Sequence, residues 1–177
     1  MSEPIGNSLI LVGMPGAGKS TVGLLLAKEL VKAFVDTDIL IQTQEGKALQ
    51  DIIYDHGYEY LRKVEEQVLL QSQYLNHVIA TGGSVVYSDP GMQHLKKAGR
   101  IVFLDVPLEE LERRVHNFST RGIACAPGQT LADLFEERRA LYQRYADITV
   151  DCATKHQDEV VSEIIYQEAE QFAEMDA

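Results

Sequence analysis

Eight residues near the start of the chain carry the clearest chemistry. Gly13-Met14-Pro15-Gly16-Ala17-Gly18-Lys19-Ser20 reads G-x-x-x-x-G-K-S. Glycines at this spacing let the backbone wrap closely round phosphate oxygens, with its N–H groups turned inward. A helix beginning behind the loop adds its positive end. The lysine of such a loop reaches the β- and γ-phosphates, and the serine hydroxyl is a hard oxygen ligand for Mg²⁺. The pattern predicts binding of ATP with Mg²⁺ and transfer of phosphate. Lys19 is then a catalytic cation, and Gly13, Gly16, Ala17, Gly18, Lys19, Ser20 and Thr21 hold the nucleotide.

Other candidates lie further along. Asp36 and Asp38 end a short strand, where open α/β sheets bind ligands. A carboxylate there suits Mg²⁺ or the role of a base; one of the pair could equally cap the helix that follows. Arg62 has Glu65 and Glu66 three and four residues on, the spacing of a surface ion pair. Gly82 and Gly83 allow backbone to approach a small ligand closely. Arg138 and Arg139 are adjacent, and either is a candidate to hold an anion.

These residues need a frame, and the hydrophobic pattern supplies one. Short apolar runs at 8–12, 33–36, 77–80, 100–105 and 148–151 read as five strands. Helical spacing falls at 19–32, at 39–54 with a break at Gly46, at 58–74, at 89–97 and at 156–172. Pro107 suits the first turn of a further helix. Thr130 with Asp133 reads as the cap of another. Strands alternating with helices predict one α/β domain, a three-layer α/β/α sandwich around a five-stranded parallel sheet. The long irregular stretch 116–129 interrupts this order, and loops of that length usually serve function.

Composition narrows the classes. At 177 residues the chain fits a single domain over 1–177. Its net charge of -11 argues against a nucleic-acid partner and means that a few local cations must hold any anionic ligand. Part of the excess, in Glu163, Glu168, Glu170, Glu174 and Asp176, reads as the solvated face of a closing helix. There is no apolar run of membrane-spanning length, and Met1–Pro4 does not open a signal segment, so a cytoplasmic, monomeric protein is expected. Cys125 and Cys152 form no metal-binding pair and are expected as reduced thiols.

From Leu9 to about Asp151 the chain resembles the shikimate kinase family. The resemblance rests on Gly13–Thr21, Val35-Asp36-Thr37-Asp38, Gly57–Glu66, Ala80-Thr81-Gly82-Gly83 and Arg138-Arg139-Ala140-Leu141-Tyr142, in that order. It implies a nucleoside-monophosphate-kinase-like fold with a mobile lid at about 116–129 and an acceptor-binding helical region at about 38–75. It further implies ATP-dependent phosphorylation of a shikimate hydroxyl, giving shikimate 3-phosphate and ADP in aromatic amino acid biosynthesis. Carried over by position, Asp36 joins Ser20 near Mg²⁺, while Asp38 binds acceptor hydroxyls and takes a proton. Arg62 and Arg138 grip the acceptor carboxylate, with Glu65 orienting Arg62. Gly82 and Gly83 touch the acceptor, Arg114 lies against the base, and Arg121 is the lid cation. The chain departs from the family pattern at Leu61 for phenylalanine, Ser84 for a third glycine, Ala140 for proline, and Gly122-Ile123-Ala124 for Pro-Leu-Leu. These departures surround the acceptor, so another small hydroxy acid stands beside shikimate as the acceptor, and a nucleotide-hydrolysing module stands further off.

Overall fold

A computed structural model describes residues 6–175. The readings of Met1–Pro4 and of Asp176 lie outside these residues. The five expected strands form at β1 Ser8–Val12, β2 Ala33–Asp36, β3 His77–Ala80, β4 Gly99–Asp105 and β5 Ile148–Asp151. They make one parallel sheet in the order β2-β3-β1-β4-β5. β1 is buried along its whole length, as its unbroken apolar run requires for a strand covered on both faces. The chain steps to one side of β1 for β2 and β3, then to the other for β4 and β5. The strand order thus reverses about β1, and ligands of open α/β sheets bind outside the carboxyl ends of strands at such a point.

Helices cover both faces. α1 Lys19–Leu30 packs on β3 and on the closing helix α8 Gln157–Met175. α4 Tyr58–Gln71, α5 Asp89–Ala98 and α7 Leu131–Tyr145 pack around β4 and a 3₁₀ turn at Val85–Tyr87. The main core joins the sheet to these helices. A second, smaller apolar cluster lies to one side: Ile41, Ile52, Leu61, Val64, Val68 and Ala124. It ties α2 Thr37–Glu45, α3 Leu49–His56 and α4 to the lid. Among the described residues no helix is long and apolar enough to cross a membrane.

Several boundaries differ from the sequence reading. The break expected at Gly46 does divide 39–54 into two helices, with Gly46 in a left-handed conformation (φ 65°) closing α2, but the second helix runs on to His56. Pro107 stands just before α6 Leu108–Arg114 and not inside its first turn. The helix expected to run to Tyr74 stops at Gln71, where the chain turns extended at Ser72. Thr130 and Asp133 form the reciprocal cap the pattern promised.

α1 ends early for a local reason. Val31 caps it with φ 54° and ψ 45°, and it is the single non-glycine residue with positive φ among the described residues. A β-branched side chain in the left-handed region costs roughly 1–2 kcal/mol. Val31 is 88% exposed, so little packing offsets this. Val31→Gly should therefore stabilise the protein by about 0.5–1 kcal/mol after the added flexibility of the unfolded glycine is counted. A urea unfolding midpoint checks this, and a lower midpoint for the variant would overturn it.

Candidate active site

The phosphate loop joins β1 to α1. Gly16 has φ 85°, and a Cβ there would lie 2.6 Å from Val115 Cγ2, so both conformation and space require glycine. Lys19 folds back over the loop, and its Nζ donates to the carbonyls of Gly13 (2.7 Å) and Met14 (2.9 Å). Burial is the main reason its pKa falls to about 8. Asp38 works against that fall, while Arg138 and Arg121 add to it. Lys19, Arg138 and Arg121 are thus three cations near two carboxylates, Asp38 and Asp36.

Ser20 opens α1 beside the end of β2. Its Oγ donates to Asp36 Oδ2 at 2.5 Å. Asp36 Oδ1 accepts from the Asp38 backbone N–H at 3.0 Å and so caps α2. The capping and the metal-binding readings of Asp36 are therefore compatible: one oxygen serves the helix and the other faces Ser20. Ser20 and Asp36 present the hard oxygen donors that Mg²⁺ takes, and they stand at the edge of the loop that would hold its phosphate ligands.

Asp38 lies one residue into α2, half-buried. Burial foremost, and then the neighbouring Asp36, push its pKa up to about 6 against the ordinary 3.8. It faces the turn after β3. A Cβ on Gly82 would sit 2.9 Å from Asp38 Oδ1 and against Glu65, and one on Gly83 would meet Arg138 Nη1 at 2.9 Å. The two glycines thus hold backbone where any side chain would displace the polar groups. Gly82 N–H donates to Thr37 Oγ1 (3.2 Å), and Tyr142 OH donates to the Gly83 carbonyl (2.5 Å), which pins the turn from both sides.

Lys19, Ser20, Asp38, Gly82, Gly83, Arg121 and Arg138 line one cavity of about 200 Å³. The structure separates the two adjacent arginines. Arg138 is buried at the cavity, whereas Arg139 turns away and makes a two-pronged ion pair with Asp105 (2.8 and 3.1 Å). Arg62 is not in the cavity wall. It lies behind the lid, where its Nη2 donates to the Ala124 carbonyl at 3.3 Å. Arg138 Nη2 donates to the same carbonyl at 2.6 Å. The segment 122–124 is therefore packed against the site. Gly122 N–H donates to Gln50 Oε1 of α3 at 3.1 Å, and Ala124 is buried in the second apolar cluster.

Glu65 does not orient Arg62, contrary to the expectation. It is fully buried, accepts a hydrogen bond from Ser84 Oγ, and has its pKa raised to about 7, chiefly by burial. Glu66 likewise accepts from Ser88 and not from Arg62. Helical spacing permits the Arg62 pairs, but burial of this face of α4 against the glycine turn decides otherwise. Arg114 donates to the Gly16 carbonyl (3.3 Å) and to Glu110 (2.9 Å). It borders a second cavity with Gly16, Ala17, Lys155, His156, Gln157 and Asp158. The residues 155–158 escaped the sequence reading. Their signal was position alone, since they follow β5 at the carboxyl end of the sheet. Tyr87, which touches both Arg62 and Arg138, escaped it too.

Comparison with known proteins agrees with this geometry. The family model described as shikimate kinase matches residues 15–168. A shikimate kinase from Caldanaerobacter subterraneus is 37% identical over 161 residues, covering 89% of this chain and 94% of that protein. The structure of shikimate kinase from Acinetobacter baumannii in complex with shikimate superimposes with a TM-score of 0.85 at 30% identity, covering 95% of this chain and 96% of that one. The crystal structure of shikimate kinase from Aquifex aeolicus gives 0.76 at 36% identity, covering 90% and 94%. With its five-stranded parallel sheet, phosphate loop and glycine turn, the chain belongs to the shikimate kinase family.

Proposed function

We propose that this protein transfers the γ-phosphate of ATP to a hydroxyl of shikimate, giving shikimate 3-phosphate and ADP. The observation that carries the reading is the meeting of Lys19, Asp38 and Arg138 on one cavity beside the glycine turn. A phosphate loop supplies the donor, a carboxylate faces the acceptor, and a buried guanidinium waits for an anion.

The roles follow from chemistry. Backbone N–H groups of the loop 13–18, all but Pro15, which has none, and the start of α1 cradle the phosphates. Lys19 Nζ leaves the Gly13 and Met14 carbonyls for the phosphate oxygens. Ser20 and Asp36 would hold Mg²⁺, whose charge would offset negative charge developing on the phosphate oxygens. Asp38 orients the attacking hydroxyl and takes its proton; a carboxylate with a pKa of about 6 is mostly ionised at neutral pH yet basic enough to help. Arg138 binds the acceptor carboxylate from the cavity wall, and Arg62 adds a second guanidinium from beneath the lid. Arg121 reaches over the cavity to meet the charge on the transferring group. The lid, closed by Gly122 and Ala124, keeps water from competing as acceptor. Arg114 and the segment 155–158 border the space for the nucleotide base.

An ADP-release assay with ATP, Mg²⁺ and shikimate tests this. Shikimate should stimulate turnover at least about a hundredfold over ATP alone, because positioning and water exclusion favour the bound hydroxyl. Turnover indifferent to acceptor would mean a nucleotide hydrolase. Stimulation by other hydroxy acids but not by shikimate would overturn the assignment of the acceptor.

A further inference from the structure

Tyr87 occupies a place that neither the phosphate loop nor the glycine turn explains. It ends the 3₁₀ turn after β3, half-buried, with its ring close to both Arg62 and Arg138. Arg62 Cζ lies 3.9 Å from the ring centroid, and Arg138 Cζ lies 5.4 Å from it. The phenol oxygen accepts from Arg138 Nε at 3.3 Å and donates to Glu137 Oε1 at 2.5 Å. The two guanidinia also share an acceptor, since both donate to the one Ala124 carbonyl.

The electrostatics of this cluster are incomplete. Two cations sit close together, yet among the described residues neither Arg62 nor Arg138 has a carboxylate ion pair. Arg62 Nε is buried without a hydrogen-bond partner. A π-face attracts a cation but does not neutralise it. Such a pair has room for one anion, and the aromatic plate fixes where the two forks point.

We propose that Tyr87 is the positioning residue of the acceptor-carboxylate site, its ring and hydroxyl setting the spacing and tilt of Arg62 and Arg138. This rests on the reading above that the acceptor carries a carboxylate. Capture of the carboxylate and closure of the lid then draw on the same two guanidinia, because Ala124 already binds both.

The test compares shikimate with its methyl ester, which keeps the hydroxyls and masks the charge. The wild type should prefer the acid in kcat/KM by about a hundredfold, as a charge-assisted bidentate site does. In Tyr87→Leu, which loses ring and hydroxyl, that preference should shrink roughly tenfold through the KM for shikimate, with the KM for ATP unchanged. Tyr87→Phe keeps the plate and loses the hydroxyl's contacts with Arg138 and Glu137, so it should lie between, shrinking the preference about threefold. A general packing defect would raise both KM values and affect acid and ester alike. Should Tyr87→Leu fail to fold, Tyr87→Phe decides. An unchanged acid-to-ester ratio in the folded variants overturns the role of Tyr87 while leaving the carboxylate reading intact. No acid preference in the wild type overturns both.

Discussion

Lys19→Ala should lower kcat/KM for phosphoryl transfer by about a thousandfold or more, with every acceptor. The ammonium is the one cation built into the loop itself, and burial removes the water that would otherwise screen it. Removing a fixed donor from such a site costs on the order of 10²–10³ in rate, and in its proposed role this lysine serves the phosphates throughout. The effect is separable from folding. At neutral pH, Lys19 is charged in both folded and unfolded chains, and its depressed pKa means that the folded state carries a desolvation cost. Alanine relieves that cost but leaves the Gly13 and Met14 carbonyls without their donor. The two effects oppose, so ligand-free Lys19→Ala should melt within a few degrees of the wild type. The rise in melting temperature on adding ATP should disappear. A variant retaining a tenth of wild-type activity would remove the loop from the mechanism.

The phosphate loop was legible because it is local. Its residues are contiguous, and the strand before and helix after it announce themselves through apolar runs. The five strands were legible for the same reason, each being a short run bounded by turn residues. Helix ends were less so. Nothing in the sequence around Val31 announces a left-handed cap, and the helix was carried two residues too far. The acceptor side shows where local reading stops. From spacing alone Glu65 belongs to Arg62, yet Ser84 claims it from a different loop. Arg138 and Arg139 are indistinguishable as letters. What divides them is Asp105 at the end of β4, which takes one, and the cavity, which keeps the other. Tyr87 gathers its meaning only when α4, α7 and the turn after β3 come together. Each miss is a contact between elements far apart in sequence, the kind that periodicity does not encode.

Asp38→Asn should make the protein a worse enzyme and a more stable one. The proposed role of general base is worth roughly 10²–10⁴ in rate, and the amide takes no proton. In the wild type, kcat/KM should fall as pH drops through about 6, when the carboxylate protonates. That acid limb should be missing from the residual activity of the variant. Stability runs the other way. Folding raises the pKa of Asp38 from 3.8 to about 6, so the folded state binds its proton more tightly than the unfolded chain does. The group favours folding fully below pH 3.8, and that advantage is lost as pH rises through 6. At pH 7 the charge sits half-buried next to Asp36, with only partial relief from Lys19 and Arg121. Asparagine removes the charge at nearly constant shape. After allowance for the solvent that still reaches the site, it should gain about 1–2 kcal/mol at pH 7. The gain should shrink to a small fraction of that near pH 4, where the folded wild-type carboxyl is itself neutral. Denaturant midpoints at pH 4 and pH 7, measured on both proteins without ligand, check the sign. A variant less stable than the wild type at pH 7 would mean that Asp38 is held by favourable contacts and not by the demands of the reaction. The expected result, with activity down, stability up and the stability difference shrunk by acid, would identify a charge kept in place for chemistry at the expense of the fold.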